Sequence, residues 1–123
     1  MERRRPRPIT VIGWFFIIFG SIALLSGLLP FGEITFTQRI AELNTHWMVH
    51  LSHILQIVAG AGLLYGRNWA RWLLVVWIAF HIVISALHST FQLALHVFIF
   101  SVILYFLFRR GSSSYFGVRS DAR

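Results

Sequence analysis

Residues 72–108 read WLLVVWIAFHIVISALHSTFQLALHVFIFSVILYFLF, two apolar runs broken only by a short polar step. The runs are Trp72–His88 and Phe91–Phe108, and the step is His88-Ser89-Thr90. A helix of about 17–21 residues crosses a hydrocarbon core of roughly 30 Å at 1.5 Å per residue. Two such spans joined by so tight a turn must form an antiparallel hairpin across a membrane.

Working outward, two more segments of the same kind precede it, Ile9–Leu29 and His46–Tyr65. Pro30 and Gly32 end the first, and Gly66-Arg67-Asn68 ends the second. The reading is therefore all-α, a four-helix transmembrane bundle over residues 9–110. A basic segment, 1–8, precedes it, and a tail, 111–123, reads as a short mobile end. Only the 31–45 connection is long. There Thr37 offers an N-cap from which the second helix would start early and project beyond the membrane.

Composition agrees. Hydrophobic residues make up 57% of the 123 and charged ones 12%, against about 25% charged in soluble domains. Lipid must be part of this chain's solvent. The net charge of +7 rests on arginine alone, in short clusters beside apolar runs. That placement suits anionic headgroups and topology signals and argues against nucleic acid as a partner. The absence of cysteine excludes disulfides and thiolate chemistry.

Arg3, Arg4, Arg5 and Arg7 resemble a signal-peptide n-region, but the apolar stretch that follows, about 20 residues, is too long for one. Pro30-Phe31-Gly32-Glu33 also lacks a small-x-small cleavage site, so the segment reads as a retained span. Four arginines precede span one, Arg67 and Arg71 separate spans two and three, and Arg109, Arg110, Arg119 and Arg123 follow span four. Only Arg39 falls on the other side. The positive-inside rule then predicts N-in/C-in.

Gly13, Gly20 and Gly27 recur every seven residues, and Ala59-Gly60-Ala61-Gly62 forms a small-residue patch. Such residues let helix backbones approach in lipid, so they predict packing within the bundle, with a partner-docking face as the alternative. Trp47, Trp69 and Trp72 fall at membrane boundaries, while Trp14 and Trp77 lie deeper and read as packing. In the turn between spans two and three, Gly66 suits a positive φ and Asn68 a cap. Arg67 and Arg71 would anchor at phosphates, with Trp69 and Trp72 at headgroup level.

The six histidines carry the chemistry. His46, His50 and His53 share one face of helix two, and Glu42 and Arg39 continue the stripe. His81, Ser85 and His88 form a stripe on span three, and Gln92 and His96 one on span four. With the predicted orientation, all six fall in the outer half. His53, His81 and His96 share a depth of roughly 8–12 Å below the boundary. Ionisable groups in a membrane face an interior, a cavity or a partner.

These stripes predict a cofactor site at His50, His53, His81 and His96, with His46, His88 and Glu42 at its entrance or completing a metal shell. The ligand would be a transition metal ion or a haem-like group, or the polar network would conduct protons. The alternative is that neutral imidazoles, with Ser52, Gln56, Ser85 and Gln92, are interhelical glue. Nothing resembles a nucleophilic triad, a phosphate loop or the boxes of di-iron hydroxylases, so the reading leans away from an enzyme.

The stretches RPRPITVIGWFFIIFG (5–20), GRNWARWLLVVWIAFH (66–81), HIVISALHS (81–89) and FLFRR with the later Tyr115-Phe116 carry a resemblance. Together they resemble small uncharacterised bacterial four-span inner-membrane proteins with a GR-x-WAR turn between spans two and three. The resemblance covers nearly the whole chain and implies a helical bundle in a bacterial inner membrane, with no activity or site residues attached. The Glu42-His46-His50-His53 ladder is not part of it. The partners to expect are lipid and either a larger membrane complex or further copies of the chain. A transporter is disfavoured by the apolar inner half.

Overall fold

The computed structural model describes residues 4–29 and 35–117. Arg3, Pro30, Gly32, Glu33, Arg119 and Arg123, used above, lie outside them. Among the described residues the chain is all helix: α1 (Arg7–Leu28), α2 (Phe36–Leu64), α3 (Asn68–Ala86), α4 (Thr90–Phe108) and the short α5 (Arg110–Tyr115). The first four are each long and apolar enough to cross a membrane. The chain is a multi-pass membrane protein built as a four-helix bundle.

Local chemistry sets the ends. Pro8 sits in the first turn of α1, where its missing N–H is not needed. Leu29 is extended (φ −77°, ψ 136°), as a residue before proline is driven to be. The cap of α2 is Thr35, not Thr37. Its hydroxyl accepts from the Gln38 amide, and its own amide donates to Gln38 Oε1 at 3.0 Å, a reciprocal capping box. Gly66 closes α2 with φ +67°. The expected Asn68 cap is absent: Arg67 occupies the cap position, and the Asn68 carboxamide is turned to another task.

Each helix packs mainly on its neighbours in the chain, and α1 meets α4 along a short contact. The core gathers in the half of the bundle that holds Arg7, the 65–67 turn and Phe108, here the terminal half. Ile9 and Phe16 of α1, Ala59 and Leu63 of α2, Leu74 and Ile78 of α3, and Ile103 and Leu107 of α4 fill it. Lipid tails are as apolar as leucine, so close packing rather than water exclusion holds these helices together. The glycine stripe of α1 does face α2. A Cβ at Gly60 would lie 2.7 Å from the Gly13 carbonyl oxygen, and one at Gly13 would lie 2.6 Å from Leu64. The two backbones touch.

The tail is not a mobile end as far as it is described. In α5, Ser112 is fully buried, and Phe116 just beyond it is nearly so. Tyr115 donates its hydroxyl to the Leu64 carbonyl at 2.7 Å. Arg71 fastens this cap. It is 3% exposed, so it does not reach out to phosphates as expected. Its guanidinium donates to Asn68 Oδ1 at 3.0 Å (Nε) and to the Leu107 carbonyl at 3.2 Å (Nη1). It also lies between the rings of Phe108 and Phe116, at 4.7 and 4.8 Å. A buried charge needs such hydrogen bonds and π faces to offset its desolvation.

Three variants test this packing. Gly60→Leu drives a side chain into the Gly13 backbone and should cost about 1–3 kcal/mol, read as a lower unfolding midpoint in detergent. Gly111→Ala, where a Cβ meets nothing nearer than 4.0 Å, should leave the midpoint unchanged. Arg71→Ala should cost about 2–4 kcal/mol and expose the 110–117 segment to protease, because it removes charged hydrogen bonds and two cation–π contacts together.

Candidate functional site

The histidines lie in the half opposite the core, here the distal half. His50, His53, His81 and His96 are half-buried, and His46 and His88 are exposed. A polar seam crosses from α2 to α4. Trp77 Nε1 donates to the Ser52 carbonyl at 2.9 Å and lies 3.0 Å from Ser52 Oγ. The Trp77 ring stacks on His81 with centroids 3.9 Å apart and planes 31° apart. Ser85 donates its hydroxyl to the His81 carbonyl at 2.8 Å, which leaves its oxygen to accept from His96 Nδ1 at 3.2 Å. The seam joins α2 to α3 and α3 to α4.

Hydrogen-bond partners decide which ring nitrogen holds the proton. Nδ1 of His81, His88 and His96 faces the carbonyl oxygen four residues earlier, at 2.9, 2.8 and 2.7 Å. A carbonyl only accepts, so Nδ1 carries the hydrogen and Nε2 keeps a lone pair. In His50 and His53 the opposite holds. Their Nδ1 atoms are buried without a partner. A proton there would leave a buried donor unpaired, the costlier arrangement, so the proton sits on Nε2. His50 and His53 are therefore Nε2 donors, and His81, His88 and His96 Nε2 acceptors.

The seven residues expected to share a metal, His46, His50, His53, His81, His88, His96 and Glu42, are not assembled as one set, although His53 and His96 lie within electrostatic reach of His81. Among the described residues no three His, Asp or Glu side chains are arranged to hold a metal ion. The reason is rotational. His50 turns onto α1, where its ring carbon Cε1 would lie 2.7 Å from a Cβ on Gly27. His81 turns toward Trp77, with His53 and His96 within electrostatic reach. His88 stays exposed at the end of α3. Gln56 is buried beside Gly20, and Ser52 and Ser85 take the polar contacts described; the Gln92 side chain is exposed.

Trp77 was legible only as packing, yet it is the donor that ties α2 to α3. Its spacing of four from His81 was the available signal. Of the expected anchors, Trp69 and Trp72 are about half exposed, as a headgroup position requires. No protein-family profile matches the chain, and neither a curated protein nor a solved structure is significantly similar to it.

Nitrogen NMR of the histidine rings tests the assignment. Nδ1–H tautomers are expected for His81, His88 and His96, and Nε2–H for His50 and His53. Ser85→Ala should remove the His96 cross-link and lower stability by about 0.5–1.5 kcal/mol, the range of interhelical hydrogen bonds in lipid.

Proposed function

We propose that this chain is a non-enzymatic protein of a bacterial inner membrane, N-in/C-in, serving as an accessory or assembly subunit of a larger membrane complex. The observation that carries it is the seam. The Nδ1 atoms of His81 and His96, the Ser85 hydroxyl and the Trp77 indole are all engaged within the bundle. His96 and Trp77 in that use are glue between helices. The arginine bias places the seam in the outer half. The short α1–α4 contact leaves α4 the least covered of the four spans, with Phe91, Phe98 and Tyr105 outward. That face is free to meet lipid or a neighbouring subunit. The resemblance to four-span proteins with the GR-x-WAR turn supports the same compartment.

A second reading has its own support. The Nε2 lone pairs of His81 and His96 are oriented by backbone bonds on Nδ1, as metal-ligating imidazoles usually are. Two such imidazoles suffice for a haem-like group, with His53 near them. An absorbance spectrum, elemental analysis and native mass measurement in mild detergent separate the two. The accessory reading expects a colourless, metal-free protein that co-purifies with larger partners, and a lone monomer or homo-oligomer contradicts it. A Soret band or stoichiometric metal, lost in the His53→Ala, His81→Ala double variant, establishes the cofactor reading instead.

A further inference from the structure

A pocket of about 180 Å³ lies between the distal end of α1 and the first turns of α2. It stands apart from the seam and does not depend on the reading above. Arg39, Glu42, His46 and His50 line it, with Gly27 of α1 opposite. Its level follows from length. At 29 residues α2 runs about 43 Å, longer than a hydrocarbon core of roughly 30 Å, so its first turns stand in the headgroup layer. Half-exposed Trp47 belongs to the same level.

Three features make this more than a surface dent. His46 breaks the helix (φ −108°, ψ 16°), so the segment carrying Arg39 and Glu42 kinks relative to the rest of α2. Arg39 is half-buried in the pocket wall while Phe36 and Ile40, on neighbouring turns, are 80% and 50% exposed. His50, which also lines the pocket, lies against Gly27 with its Nδ1 buried and unpartnered, so its hydrogen sits on Nε2.

The wall therefore offers two kinds of contact side by side. Arg39 and His50 present donors suited to an anionic oxygen. Glu42, three residues from Arg39 on the same face, presents an acceptor suited to an ammonium. A ligand with a phosphate and a primary amine two carbons apart satisfies both. We propose that this pocket binds the phosphoethanolamine headgroup of a phospholipid, with the phosphate toward Arg39 and His50 and the ammonium toward Glu42. The pocket accommodates a headgroup only. The acyl chains would lie along the exposed Leu25, Leu28 and Leu29 at the end of α1.

The test is native mass spectrometry of the full chain released from nanodiscs of equal phosphatidylethanolamine, phosphatidylcholine and phosphatidylglycerol. Phosphatidylcholine keeps the phosphate but has no N–H, and phosphatidylglycerol has no ammonium. Phosphatidylethanolamine should be retained selectively. Arg39→Gln and Glu42→Gln should each weaken its retention about tenfold, the loss of one charge-assisted hydrogen bond. Ser101→Ala, far along α4, should not. Equal retention of the three lipids, or unchanged retention in both glutamine variants, overturns the proposal. Free phosphoethanolamine is the second arm. No displacement of the lipid at millimolar concentration is expected, and displacement would overturn the lipid as the source. Should a glutamine variant misfold, the histidine NMR decides: the His50 Nε2–H signal of the unaltered protein should shift in phosphatidylethanolamine relative to phosphatidylcholine, and identical spectra refute the site.

Discussion

Backbone contact between α1 and α2 at Gly13 and Gly60 is the constraint on which the rest of the bundle depends. Nothing larger than hydrogen fits at Gly60, because the Gly13 carbonyl oxygen occupies the space a Cβ would need. In lipid, helix association is limited by how closely backbones approach, and this pair sets the approach for the terminal half. Around it, Leu63, Leu74 and Leu107 become fully buried, and α5 folds over the end. Arg71 is tolerated there only because carbonyl, carboxamide and two aromatic rings surround its guanidinium.

The distal half is built on a different principle. Few of its residues are buried, and polar contacts rather than interlocked side chains join α2, α3 and α4. The seam is directional: the Ser85 hydroxyl gives its proton to the His81 carbonyl, and its oxygen accepts a share of the His96 Nδ1–H that also bonds the Gln92 carbonyl. Such a chain of donors specifies which faces meet. Past the end of α1, α2 runs on through the His46 kink, and the headgroup-level pocket lies there.

The architecture was legible in the sequence because its signals are long and redundant. A mostly apolar run of seventeen residues, Trp72–His88, set between Gly66-Arg67-Asn68 and Ser89-Thr90 admits one reading, and the four spans follow. The glycine repeat at 13, 20 and 27 also announced the face that meets α2. Helix ends were less readable, since Thr35 and Thr37 are equivalent by type and only the reach of Gln38 selects Thr35. Three-dimensional turns of single side chains were not readable at all. Arg71 looked like a phosphate anchor because arginine beside an apolar run usually is, and only the return of Phe116 onto it shows otherwise. The histidine stripes do share one half of the bundle, but a stripe does not say which neighbour a ring turns to. His50 turns to α1 and His81 to Trp77, and the expected metal set dissolves with that choice.

The account's central claim is that packing closes the terminal half while a polar seam holds the distal half. Amide hydrogen exchange in nanodiscs, resolved along each helix, tests it most directly. Slow exchange through 9–20, 56–64 and 70–78, with markedly faster exchange in the distal turns of α1 and α4, is the predicted result. Uniform protection along all four helices, or faster exchange at the Gly13–Gly60 contact than near His96, would contradict it.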